Sequence, residues 1–350
     1  MTQAPSKRPV FRPLPGLAIP YHPRTLWVTQ IALIASLALV LMTLLTGAFA
    51  ISPLGVWSVI TGQSQDSVAD LVVLGLRLPR IIACLFIGAA LGISGGIFQA
   101  LARNPLASPD IVGFTAGAGT GVLVLMLVEG TAIGISLSFG AILGGFATAL
   151  AVYLLALRRG VHGQRLILVG IGVGAMLSAF NAFLMTRAEL EAAQAARLWL
   201  HGNLNGVTWP QVVPLILWCA LLLPLSLLLA PKLRILEMGQ DIAASLGLNH
   251  HRAQLQLIGV SICLAAAAIA VGGPIGFIAL AAPQLAQRIA KSPGIDLICT
   301  ASIGAVLLLA ADFVAQRLLA PFQIPVGLVT GAMGGAYLLY LLSREWRKTD

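Results

Sequence analysis

Pro79-Arg80-Ile81-Ile82-Ala83-Cys84-Leu85-Phe86-Ile87-Gly88-Ala89-Ala90-Leu91-Gly92-Ile93-Ser94-Gly95-Gly96-Ile97-Phe98-Gln99-Ala100-Leu101 is a run of 23 residues with one charge, Arg80, at its second position. Wound as an α-helix it measures about 35 Å, enough to cross the roughly 30 Å hydrocarbon core of a bilayer. The rest of the chain agrees with a membrane reading. Hydrophobic residues make up 58% of the 350 and charged residues only 9%, where a soluble domain carries roughly 25% charged. The mean hydropathy is +0.95. So few charges leave too little polar surface to keep a soluble fold dispersed, which excludes a soluble enzyme and a nucleic-acid-binding domain.

Outward from this stretch, apolar windows predict ten spans, at 26–49, 79–101, 111–128, 131–157, 166–187, 209–230, 253–271, 274–289, 296–318 and 325–343. The expected fold is an all-α polytopic membrane protein of about ten transmembrane helices. Glycine or proline interrupts several spans, and a break at membrane depth is tolerated only where neighbours or a watery cavity satisfy the freed backbone groups. That favours a transporter or channel over a simple anchor. With the amino terminus in the cytoplasm, 16 of the 21 Lys and Arg residues fall on inner segments. The other 5, Arg77, Arg80, Arg187, Arg197 and Arg317, fall outside. The excess of cations inside fixes this orientation, with both termini cytoplasmic, and accounts for the net charge of +9 without a polyanionic partner.

The domain layout follows. Residues 1–25, rich in proline and basic residues, read as a cytoplasmic tail, 26–343 as the membrane domain and 344–350 as a second cytoplasmic tail. Within the membrane domain, 231–252 is an inner polar segment and 188–208 an outer helix or loop. Glycines four apart recur at Gly88, Gly92 and Gly96, at Gly113, Gly117 and Gly121, and at Gly327, Gly331 and Gly335. Such ladders let helix backbones approach closely in lipid; lining a pore is the alternative reading.

Few motifs carry chemistry. Gly92-Ile93-Ser94-Gly95-Gly96 fits GxSxG, the signature of a serine nucleophile, so an intramembrane serine hydrolase is the reading from another class. It needs a base within reach of Ser94, and all five histidines fall in predicted tails or loops. The four cysteines are dispersed, with no CxxC and no Cys/His cluster, so neither a disulfide framework nor a metal site is indicated. No lysine follows a glycine and no Walker A motif exists; any nucleotide-driven step belongs to another subunit. Asp312 closes an apolar run, and a carboxylate there is either functional or paired near the interface. The inner segment Leu236-Glu237-Met238-Gly239-Gln240-Asp241-Ile242-Ala243-Ala244-Ser245-Leu246-Gly247-Leu248 predicts a short helix, with Glu237 and Asp241 near its start and Gly247 as its stop. It is too short to span; it lies as a solvated loop helix or docks on a partner.

Leu76-Arg77-Leu78-Pro79-Arg80, Gln99-Ala100-Leu101-Ala102-Arg103-Asn104-Pro105-Leu106-Ala107-Ser108-Pro109, the segment from Gly239 to Gly247, Gly273-Pro274-Ile275-Gly276-Phe277-Ile278-Ala279-Leu280 and Pro325-Val326-Gly327 stand in one order along the chain. Together they resemble the permease family that imports iron–siderophore complexes, haem and vitamin B12, over about residues 30 to 345. The resemblance implies a type II ATP-binding-cassette importer subunit in the bacterial inner membrane. It would pair with a second homologous permease, two ATPase subunits and a periplasmic siderophore-binding protein, in a bed of lipid. The implied cargo is a ferric siderophore, a catecholate such as ferric enterobactin, with haem or vitamin B12 as the alternative. ATP and magnesium would sit on the partner ATPases, iron inside the siderophore, and no cofactor or metal on this chain. Glu237, Met238, Gly239, Asp241, Ala243, Leu246 and Gly247 would form the ATPase-coupling element. Arg77 and Arg80 match the family's outer arginines that meet acidic residues of the binding protein. A third such arginine aligns with Gln316, and Arg317 is its neighbour. Asn104, Leu106, Gly163 and Gln164 match the cytoplasmic gate, and Gln284 stands where many relatives have histidine.

Overall fold

The computed structural model describes residues 10–14, 17–20, 23–47, 49–110, 113–129, 135–156, 163–320 and 322–349. The chain is helical almost throughout. The first spanning helix, α1 (Pro23–Leu45), is followed by a short α2 (Pro53–Ile60) that hydropathy had not signalled. Ser52 caps α2 by accepting from the Gly55 amide at 3.1 Å, with Pro53 pre-set in the first turn. The deciding stretch forms the core of α4 (Leu78–Ala102), but the helix begins earlier. It starts as α3 (Ser67–Asp70) and passes through a π-helical segment, Leu71–Arg77, before continuing as α4. The span predicted to begin at 79 is therefore longer at its outer end. Val72 and Val73 are buried there, and Asp66 caps the start by accepting from the Val68 and Ala69 amides.

The next elements are α5 (Phe114–Glu129), α6 (Ile135–Ala156), α7 (Gly163–Arg187) and α8 (Leu190–Leu200), the last being the outer helix expected within 188–208. Then come α9 (Trp209–Met238), α10 (Gln240–Ser245), α11 (His250–Gly272), α12 (Ile278–Ala290), α13 (Leu297–Ala315) and α14 (Val326–Thr349). Seven described helices are long and apolar enough to cross a membrane. Shorter apolar helices run at Phe114–Leu127 within α5 and Val326–Tyr340 within α14, and α12, of 13 residues, packs against α4 and α13.

Three boundaries differ from the sequence reading. Part of the amino-terminal tail pairs as strands β1 (Val10–Leu14) and β2 (Leu17–Pro20), antiparallel with Phe11 opposite Ile19. Residues 231–238, assigned to the inner polar segment, instead continue α9. Leu233 and Leu236 are buried there, so packing carries the helix past Pro231. Residues 344–349, assigned to a tail, extend α14. The inner loop 157–162 lies outside the described residues.

Helix α4 is the centre of the molecule: 78% of its apolar window is buried, against 11% for α7. It packs on α9, α11, α12 and α13, and its glycines bring it close to the last two. A Cβ on Gly88 would lie 2.5 Å from the Gly304 carbonyl oxygen, and one on Gly92 would lie 2.7 Å from that of Thr300. Ser94 and Ser261 exchange hydroxyl-to-carbonyl hydrogen bonds at 2.9 Å in each direction. A second core gathers α5, α6 and α8 around Phe114 and Leu123, and Ala265, Ala266 and Ile269 of α11 join it to the first. The Gly113–Gly121 ladder meets Gly140, Gly144 and Thr148 of α6 and, through Gly113, Gly170 and Gly174 of α7.

Candidate functional site at the two membrane faces

At the outer face the three arginines part ways. Arg77, closing the π-helical segment, reaches across to the end of α1 and donates to the carbonyls of Leu44 and Phe49, both at 2.5 Å. Arg317, two residues beyond α13, stacks 3.6 Å from the Phe313 ring centroid and donates to the carbonyls of Phe313 and Thr46 and to the Thr46 hydroxyl. Both remain half-exposed. Arg80 turns inward to Asp312, with its Nη2 2.8 Å from Oδ1. Gln316 donates to the other carboxylate oxygen at 2.6 Å. Arg80 and Asp312 each stand alone as a charge in a long apolar run, at the same membrane face. That shared position is the sequence signal that could have suggested their pairing.

At the inner face α9 ends at Met238, and Gly239 (φ +129°) turns the chain into α10; Gly247 (φ +77°) turns it out again. Both backbone angles favour glycine. Ala243 is fully buried under α10, while Met238, Ile242 and Leu246 are 63, 46 and 62% exposed. A two-turn helix therefore presents an apolar face outward, flanked by exposed Asp241. Glu237 belongs to the last turn of α9 rather than to the start of the short helix. Its carboxylate accepts from the Ile295 amide at 3.3 Å, bracing α9 against the turn between α12 and α13.

Of the gate candidates, Asn104 and Leu106 follow a residue that touches this element, Arg103. Arg103, in the left-handed region at φ +48°, ends α4, and its guanidinium donates to the Leu236 carbonyl at 3.3 Å. Asn104 follows, its side chain accepting from the Leu106 amide at 2.9 Å, and Leu106 is half-exposed. Gln284 of α12, almost fully buried, donates to the Pro105 carbonyl at 2.7 Å, so the amide side chain pins the loop after α4. Gly163 and Gln164 open α7.

An open-sided cavity of about 910 Å³ is lined chiefly by α7, with Asp110, Thr115, Leu200 and Pro274 also in its wall. Asn181 on α7 accepts from the Thr120 hydroxyl at 2.7 Å and donates to the Ala116 carbonyl at 3.0 Å. Asp110 accepts from the Thr115 hydroxyl at 2.6 Å. Burial pushes the Asp110 carboxyl above its ordinary range, and the Thr115 bond partly offsets this. The wall offers hydroxyls, an amide and one carboxylate. Among the described residues no three His, Cys, Asp or Glu side chains gather as a metal site. Ser94 keeps its hydroxyl on Ser261, a helix-to-helix brace.

Seven described helices long and apolar enough to cross a membrane, packed around the buried α4, define a multi-pass membrane protein. The FecCD transport family matches residues 33–344, and the chain belongs to that family. It is 46% identical to the ferric enterobactin transport system permease protein FepG of Escherichia coli, over 94% of this chain and 99% of that one. It is 36% identical to the achromobactin transport system permease protein CbrC of Dickeya dadantii, over 90 and 91%. It is 35% identical to the hemin transport system permease protein HmuU of Yersinia pestis, over 85 and 90%. The fold superposes on a metal-chelate type ABC transporter in an inward-facing conformation with a TM-score of 0.79, at 26% identity, over 91% of this chain and 99% of that one. The chain is thus an inner-membrane permease subunit of an iron-siderophore or haem type ABC importer.

Proposed function

We propose that this permease carries a ferric catecholate siderophore from periplasm to cytoplasm as one half of a pair of homologous permeases. The observation that carries the cargo assignment is the 46% identity, end to end, to a permease named for ferric enterobactin. In this reading the periplasmic binding protein delivers its load to the outer rim, where Arg77 and Arg317 attract an acidic partner. The cargo descends between the α7 faces of the two permeases, along the cavity bearing Asn181. Two ATPases grip the α10 helices, with Ile242 and Leu246 seated in a groove of each. ATP and magnesium stay on the ATPases, and the iron travels within its chelate.

The arrangement at the inner face supports this transmission. The α10 element hangs from Gly239, next to the Arg103 guanidinium, and Arg103 directly precedes gate residue Asn104. Movement of α10 is thereby delivered to the loop that Gln284 pins. The deciding experiment reconstitutes the permease pair with its ATPases and binding protein and compares ferric enterobactin, haem and vitamin B12 for stimulated ATP hydrolysis and uptake. Ferric catecholate alone should drive both. Uptake of haem in its place would establish the second reading, which the 35% identity to a hemin permease favours.

A further inference from the structure

Arg80 stands among cations expected to meet a partner protein, yet each of its guanidinium nitrogens already donates within the chain. Nε lies 3.0 and 3.1 Å from the two Asp312 oxygens, Nη2 2.8 Å from Oδ1, and Nη1 2.9 Å from Gln323 Oε1. The side chains are only 10 and 3% exposed. All three guanidinium nitrogens are bonded, and the carboxylate is completed by Gln316. A charge so placed cannot be drawn out towards a second protein without stranding its buried partner, which is strongly destabilising. Arg77 and Arg317 differ on each count. They bond neutral oxygens, form no ion pair among the described residues, and keep part of their surface in solvent.

We infer that Arg80 is a positioning residue and not a docking cation. With Asp312 it clamps the outer ends of α4 and α13 and, through Gln323, the chain entering α14. The clamp holds Arg77 and Arg317 as the two cations left to face the binding protein. Asp312 cancels one of three positive charges, so this rim presents two. The inference rests on the binding-protein role given above.

The test uses the complete importer in nanodiscs, titrated with its binding protein over a range of ionic strength. Arg77→Gln and Arg317→Gln should each weaken binding roughly 3- to 10-fold and flatten its salt dependence. Arg80→Met alone strands Asp312 and should lower the yield of assembled complex. Arg80→Met with Asp312→Leu removes both charges and should restore assembly, affinity and the native salt dependence. A double variant that assembles but binds as poorly as Arg77→Gln, with the same flattened salt response, overturns the inference. Phenylglyoxal labelling of the native importer gives a second reading that needs no variant. Arg77 and Arg317 should be modified and then protected by the binding protein, and Arg80 modified in neither state. Arg80 labelled in the free importer and protected by the partner would also overturn it. A native importer that ignores the binding protein defeats the docking role, while Arg80 labelling without the partner still decides the clamp.

Discussion

Gly95 faces the backbone of α12 so closely that a Cβ would run into the Ala279 carbonyl. Backbone cannot swing aside as a side chain can, so Gly95→Val should cost the upper end of about 1–3 kcal/mol. Gly172 on α7 has nothing within 4 Å, and Gly172→Ala should stay within about 0.5 kcal/mol in the isolated chain. Thermal melts of both variants in detergent would check the contrast, and equal losses would contradict the packing account. Asp110 makes a prediction in pH. Its carboxyl is raised by burial, so between its ordinary range and its folded value the native state holds the extra proton. Stability is then greatest below that window and falls as pH rises through it. Asp110→Asn should remove that slope and melt higher than the native chain at neutral pH. Melting points taken from about pH 4 to 7 would show it.

Among the elements, α10 carries the strongest functional expectation. It is a short helix with Ala243 buried and an apolar outer face, and an isolated helix of six residues has no stability of its own. Its position depends on the turn at Gly239 and on whatever covers Ile242 and Leu246. Leu246→Asp leaves the buried side untouched, so the chain should melt normally. Uptake should nonetheless drop roughly tenfold or more, the equivalent of 1.4 kcal/mol of lost docking, with ATP hydrolysis no longer stimulated by cargo. Gly239→Lys should do the same through backbone strain at φ +129°. Normal uptake in both would remove α10 from the coupling path. The predicted inner segment also shows where pattern reading slips: it is polar as a whole, but its first eight residues belong to α9. Leu233 and Leu236 are buried by neighbouring helices, a contact that composition along the chain does not record.

At the scale of the whole molecule, exposed surfaces on two membrane helices are where the proposed second permease would pack. Helix α7 has Leu168, Ile171, Met176 and Phe183 more than half exposed. On α14, Gly327 of the third glycine ladder packs on the His201 carbonyl, whereas Gly331 and Gly335 have nothing within 4 Å. Small residues pack helices tightly in lipid only where another helix arrives. Gly331→Leu with Gly335→Leu should therefore leave the melting of the isolated chain unchanged and abolish co-purification of a permease pair. Retained pairing would move the interface elsewhere. Hydropathy and the placement of cations are properties of short windows. From them come the membrane class, the ten helices, their orientation and the short inner helix. Partnership between Arg80 and Asp312 spans 232 positions of chain, and the same distance problem hides which glycine ladders are occupied and where α9 ends. A side chain's type states what it needs from a neighbour, but only the packing of distant helices supplies one, and here that packing sets Arg80 against Asp312.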